Sequence, residues 1–206
     1  MRVGILGGSF DPPHIGHLLV AQDVTEALAL DTLLIVPAGS QPLKTQDQSP
    51  AAHRLRMTQL CFADLPKAVV DSVEVDRGGL SYMVDTVETL HRRWPTAELL
   101  LLVGQDVVAT LPRWKDTARL FSMVQLVVLQ RHLVAERGGT DDVGSLPIGA
   151  VTVTTRRVDV SSTEVRARVR DGRSLAGFVT SAVASYIGST GLYLQDAVAG
   201  GVVERA

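Results

Sequence analysis

The chain has 206 residues, 46% hydrophobic and 20% charged, with a formal net charge of −2. This balance excludes a disordered chain and gives no electrostatic footing for nucleic acid or an anionic membrane as partner. The single cysteine, Cys61, cannot form an internal disulfide or a thiolate metal cage, and its setting beside Met57 and Leu60 marks it as a core residue.

Arg2–Leu6 reads as a first strand, too short an apolar run for a secretory leader. From Gly16 to Leu30, Val20, Val24, Ala27 and Leu28 recur at helical spacing. Thr32–Val36 is a second short strand, stopped by Pro37. Residues 38–50 form a loop and 51–64 a helix. Ala68–Val75 is β-branched and extended. Val84, Val87 and Leu90 predict a helix over Met83–Arg92. Leu99–Val103 and Gln125–Leu129 are buried strands, Val151–Thr155 is a last strand, and residues 133–149 are a surface loop. One helix begins at Ser161; another spans Phe178–Ile187 and ends at Gly188. The longest aliphatic run, Leu99–Val103, falls far short of the roughly 20 residues of a transmembrane helix, so the reading is a soluble, cytoplasmic protein. Strands alternating with helices predict an α/β fold: a Rossmann-like, doubly wound, mostly parallel sheet with helices on both faces. One domain covers residues 1–194, with a loose tail over 195–206. Ligands of such sheets bind beyond the carboxyl ends of the strands.

The first strand runs into Gly7-Gly8-Ser9-Phe10-Asp11. Two glycines allow a sharp turn and close approach of a ligand. The helix that follows aims its positive amino end at this loop, a setting for phosphate. No Gly-Lys-Ser/Thr follows, so the loop is not a P-loop. Gly4, Gly7 and Gly8 do not make a dinucleotide fingerprint, and no acidic residue closes the second strand, which argues against an NAD-dependent dehydrogenase. His14 and His17, three apart around Gly16, can face one site. A transition metal is one reading of the pair, but no partner stands at a zinc spacing. Two histidines that merely cap main-chain groups is another. Behind a glycine turn, hydrogen bonding to phosphate oxygens is the favoured reading, because imidazole beside phosphate takes up positive charge and donates where charge grows.

The stretch Gly7-Gly8-Ser9-Phe10-Asp11-Pro12-Pro13-His14-Ile15-Gly16-His17 resembles the opening of bacterial nicotinate-nucleotide adenylyltransferases, within the wider H-x-G-H nucleotidyltransferase superfamily. Later stretches follow in that family's order. Gln41-Pro42-Leu43-Lys44 stands in the place of Pro-Pro-His-Lys, with Leu43 replacing the histidine. Ser81-Tyr82-Met83-Val84-Asp85-Thr86 resembles Ser-Tyr-Thr-x-x-Thr, with Met83 replacing a threonine. Leu99–Asp106 resembles a strand-Gly-x-Asp motif. Pro112-Arg113-Trp114-Lys115 carries a tryptophan matching the one that stacks on nicotinate. Val160–Arg166 resembles Ile-Ser-Ser-Thr-x-Ile-Arg, and Tyr186-Ile187 with Gly191-Leu192-Tyr193 resembles the family's end. The resemblance covers about residues 1–193. Taken without it, Ser81 and Asp106 are helix caps, Trp114 is core, Lys44 is solvated, and Ser161 with Glu164 is a capping box.

The resemblance implies transfer of AMP from ATP to nicotinate mononucleotide, giving deamido-NAD and pyrophosphate by in-line attack without a covalent intermediate. It implies catalytic roles for His17, His14 and Arg166. ATP would meet Gly8, Ser9, Phe10, His14, His17, Gly104, Asp106, Ser161, Ser162, Thr163 and Arg166. Nicotinate mononucleotide would meet Lys44, Tyr82, Met83, Thr86, Asp106 and Trp114. Mg²⁺ would arrive with ATP, with no resident metal or tightly bound cofactor. Alternatives are the same chemistry on nicotinamide mononucleotide or phosphopantetheine, or a nucleotide-binding sensor that has lost catalysis; the intact His14, His17 and Arg166 count against the sensor. A homo-oligomer is compatible with the sequence.

Overall fold

Side chains along each central strand alternate between two cores. Leu33, Ile35, Leu100, Leu102, Val127 and Leu129 pack on one face. Leu34, Val36, Leu99, Leu101, Val103, Leu126 and Val128 pack on the other. A strand apolar on both faces belongs in a sheet covered on both sides, which is the environment of parallel strands. The computed structural model describes residues 1–42, 48–131 and 149–194. In chain order these form β1 (Arg2–Gly8), α1 (Ile15–Ala27), β2 (Thr32–Pro37), α2 (Ala51–Phe62), β3 (Ala68–Val70), α3 (Val73–Arg77), α4 (Met83–Arg93), β4 (Glu98–Gly104), α5 (Gln105–Val108), α6 (Thr117–Met123), β5 (Gln125–Arg131), β6 (Val151–Thr155), α7 (Ser162–Arg170) and α8 (Ser181–Thr190).

The sheet order is β3-β2-β1-β4-β5-β6, and every neighbouring pair is parallel. Residues of α1, α2, α7 and α8 fill the first core, and α4 and α6 fill the second. The predicted doubly wound α/β fold is therefore present. Its order reverses between β1 and β4, so the crevice beyond Gly8 and Gly104 is the place where such a sheet takes a ligand.

Local chemistry moved several predicted boundaries. β2 runs through Pro37, which pairs in register with Gly8. Ala38 N–H turns to the Gly8 carbonyl, so Pro37 faces the other side, where β3 has already ended at Val70. Its missing N–H breaks no ladder bond there. Residues 73–75 are helical rather than extended, because the Asp71 carboxylate accepts the Val73 N–H at 3.0 Å and the Ser72 carbonyl accepts the Asp76 N–H. That side-chain turn at Asp71, one residue before the N-cap Ser72, overrides the β-branched run. Thr180 caps α8 by accepting from Val183, so the helix starts after Phe178. It passes Gly188 and stops at Gly191, which takes the left-handed conformation at φ 67°.

Candidate active site

The loop after β1 turns at Phe10, whose φ of 50° lies in the left-handed region. Its ring is buried edge-on against Phe62 and His17, with centroids 6.0 and 5.1 Å away. This anchors the polar loop on an apolar pin. Ser9 donates its hydroxyl to Gln41 Oε1 at 2.7 Å. Asp11 is buried; its carboxylate accepts the Tyr193 hydroxyl at 2.6 Å and the Ser49 N–H at 3.1 Å.

His14 is the N-cap of α1, and His17 stands three residues in. Nδ1 of His17 accepts the main-chain N–H of His14 at 3.2 Å, so the two residues cap each other. Capping and phosphate binding are thus compatible readings. With Nδ1 used as an acceptor, the neutral ring carries its proton on Nε2, the edge away from the main chain. The two rings lie 3.8 Å apart at a tilt of 32°. Gly16 makes this possible: a Cβ there would stand 3.0 Å from His14 Nδ1.

The second motif is fastened to the first. Ser161 caps α7 and accepts from Glu164 at 3.1 Å. Ser162 Oγ donates to the Pro12 carbonyl at 2.8 Å. Arg166 donates to the Asp11 carbonyl at 2.7 Å and to Thr163 Oγ1 at 3.2 Å. The amino ends of α1 and α7, each with a positive dipole end, therefore converge on one space.

That space is a cleft of about 590 Å³ at the β1–β4 crevice. Six predicted residues line it: His14, His17, Gly104, Asp106, Ser161 and Ser162. Leu6, Val20, Val158 and Val160 give it apolar wall. Thr155 and Arg156 also line it, and sequence reasoning missed both. Arg156 clasps Asp23 through Nε at 2.9 Å and a terminal nitrogen at 2.6 Å. The hydrogen bonds and charge of Asp23 raise its pKa. The basic pair at the end of β6 was the available signal.

On the other face of the sheet, Met83 Cε lies 3.0 Å from where a Gly7 Cβ would be. Tyr82, Met83 and the half-buried Trp114 all pack on the α4-side core. The Trp114 indole N–H donates to Thr110 at 3.1 Å. Lys115 bonds Asp85 at 3.0 Å and sits 4.8 Å over the Tyr82 ring, which holds the Trp114 loop against the start of α4.

Three readings change here. Thr86 is fully buried, donating to Glu74 Oε1 at 2.7 Å and accepting from Arg77 at 3.0 Å, so its hydroxyl is engaged inside the protein and not offered to a ligand. Ser81 is not the cap of α4; Tyr82 holds that position, and Ser81 Oγ accepts the Gly39 N–H at 2.9 Å instead. Asp106 is not the cap of α5, because Gly104 is, which leaves Asp106 in the first turn at the cleft. Lys44 lies outside the described residues. Burial pushes the Cys61 thiol up to about 12, as a core residue requires. Among the described residues no group of three or more His, Cys, Asp or Glu is placed to hold a metal ion. Nor is any described helix long and apolar enough to cross a membrane.

A doubly wound parallel sheet with two helix amino ends and an H-x-G-H turn at its switch point defines a nucleotidyltransferase, and the sequence model of the cytidylyltransferase-like family matches residues 5–168. A "probable nicotinate-nucleotide adenylyltransferase" of Gemmatimonas aurantiaca is 59% identical over 197 residues, covering 95% of this chain and 93% of that protein. One of the same name from Thermus thermophilus is 40% identical over 193 residues, covering 94% of this chain and all of its own. The chain belongs to the nicotinate-nucleotide adenylyltransferase family. In fold it matches the solved Plasmodium falciparum nicotinic acid mononucleotide adenylyltransferase complexed with NaAD, with a TM-score of 0.76 at 15% identity over 93% of this chain and 97% of that one.

Proposed function

We propose that this protein transfers the AMP part of ATP to the 5′-phosphate of nicotinate mononucleotide. An acceptor phosphate oxygen forms a bond to the α-phosphorus of ATP, the bond to the β-phosphate bridge breaks, and pyrophosphate leaves. The product is deamido-NAD. The nucleophile is already an anion, so no general base is needed, and catalysis consists of alignment and charge stabilisation.

The observation that carries this reading is the convergence of two helix starts, bonded together through Ser162–Pro12 and Arg166–Asp11, beside the His14–His17 pair. Main-chain groups of Gly8, Ser9 and Phe10, together with His14, His17, Ser161, Ser162, Thr163 and Arg166, hold the triphosphate. Nε2–H of His17 donates as charge grows on the phosphate oxygens. Gly104 and Asp106 take the nucleoside parts. Tyr82, Met83 and Trp114 form the pyridine pocket, with Lys44 meeting a phosphate. Magnesium enters as part of the ATP substrate, neutralising phosphate charge, and Asp106 is the carboxylate at the cleft able to meet it.

Pyrophosphate release, measured with ATP and each of nicotinate mononucleotide, nicotinamide mononucleotide and phosphopantetheine, tests the reading. Fastest release with nicotinate mononucleotide, together with deamido-NAD as product, is the expected result. Release only with another acceptor refutes the acceptor assignment, and release with none refutes the transfer.

A further inference from the structure

Arg54 is 1% exposed and lies on the face of α2 that also carries Met57, Thr58 and Cys61. A guanidinium in such a place is costly unless its donors are satisfied. Here Nε donates to the Ser49 carbonyl at 2.9 Å. One terminal nitrogen donates to the Ser9 and Ala38 carbonyls at 2.9 and 2.6 Å, and the other to the Gly39 carbonyl at 2.6 Å. Burial lowers its pKa, and the nearby Asp11 and Glu74 carboxylates oppose that.

The acceptors are what matter. Ser9 belongs to the loop after β1, on the triphosphate side. Ala38 and Gly39 follow β2, and this segment is tied to the acceptor side: Gly39 N–H donates to Ser81 Oγ at 2.9 Å, and Ser81 N–H donates to the Ser40 carbonyl at 2.8 Å. Tyr82 and Met83 come next. Gly39 is wedged in place, since a Cβ there would stand 2.7 Å from the Glu74 carbonyl. A methionine or leucine would fill the same space without burying a charge. Only a planar fork with donors on several edges bonds carbonyls from three segments at once.

We propose that Arg54 is a positioning residue for the transfer, fixing the separation between the triphosphate loop and the acceptor-side segment so that the attacking oxygen lies in line with the α-phosphorus. This rests on the adenylyl-transfer reading. In-line displacement is sensitive to placement, and an error of about 1 Å costs on the order of 100-fold in rate.

The test separates placement from binding. Arg54→Lys keeps the charge but loses the fork. Its kcat should fall by about 30-fold or more, while the Kd of ATP alone and of the mononucleotide alone, by calorimetry, stay within about threefold of the parent. A second variant, Gln41→Ala, removes the bonds of Gln41 to Ser9 and Gln48 and leaves the donors of Arg54 in place. It should lower kcat by a smaller factor and combine non-additively with Arg54→Lys. A kcat for Arg54→Lys close to the parent's overturns the proposal, and so does a kcat loss matched by equal weakening of both binary complexes. If Arg54→Lys does not fold, Gln41→Ala decides, and an unchanged kcat overturns the proposal. A parent protein that binds ATP but releases no pyrophosphate sinks the adenylyl-transfer reading instead.

Discussion

Ser162 donates its hydroxyl to the main-chain oxygen of Pro12 at 2.8 Å, fixing the start of α7 against the loop after β1. One turn on, Arg166 repeats the contact at the Asp11 carbonyl. These two bonds set the angle at which the second helix dipole meets the space beside His14 and His17.

Ser162→Ala should therefore raise the KM for ATP several-fold with kcat nearly kept, since one neutral bond contributes about 1 kcal/mol. Arg166→Ala removes the same kind of tie together with a cation. It should lower kcat/KM by about 100-fold. Steady-state kinetics on both variants check this, and an Arg166→Ala enzyme with parental kcat/KM excludes a catalytic role.

His17 is held by its own helix start, with Nδ1 occupied by the His14 N–H. His17→Ala should cut kcat by about 100-fold or more through loss of a donor made for the transition state. Near-normal turnover at saturating substrates would sink that role.

Gly16→Ala tests the histidine pair without removing either ring. The added Cβ stands 3.0 Å from His14 Nδ1 and must displace it. Turnover should fall at least tenfold while Tm changes by roughly 2 °C or less, since alanine is the better helix former and offsets the crowding. A kcat equal to the parent's means that the close packing of the two tilted rings is dispensable.

Trp114→Ala addresses the acceptor. The KM for nicotinate mononucleotide should rise roughly tenfold with the KM for ATP unchanged, as expected for loss of one stacking face. An equal rise in both values would mean that Trp114 serves the core alone.

Cys61 supplies a pH prediction. Its folded pKa is raised to about 12 from the ordinary thiol value of 9.0 by burial. Between those values the folded state holds a proton that the unfolded state has released. The contribution of Cys61 to stability is thus fully present below the unfolded pKa and is lost as pH rises toward the folded one. A thiol reagent at pH 8 should leave the native protein unlabelled and label it on denaturation. Rapid labelling of the native protein would refute the burial argument.

The sheet was legible because β2 and β4 are apolar on both faces, and the short runs ended by Pro37 and Gly104 separate them from buried helix. The first motif was legible because a glycine pair and two of the five histidines stand in a fixed spacing, and the last because two serines, a threonine and an arginine do. Thr86 misled because its place in a motif says nothing about which way its hydroxyl turns. Only the burial of Glu74 beside it shows that. Arg54 went unread, although a charged residue on the apolar face with Met57 and Cys61 was itself a signal. Its partners are main-chain oxygens, which carry no side-chain signature. Thr155 and Arg156 reach the cleft through the fold and not through a motif, and the basic pair Arg156-Arg157 at the end of β6 was the one sequence signal for them.

The bond from Tyr193 to Asp11 joins residues 182 positions apart, at 2.6 Å. Together with the contacts of Ser162 and Arg166, it means that the loop after β1 lacks its final supports until nearly all of the described chain has been synthesised and folded. A nascent chain that has made only the amino-terminal half presents the glycine turn and both histidines but no second helix to meet them. Final fixing of the loop after β1 is thus a late event in the folding of each molecule.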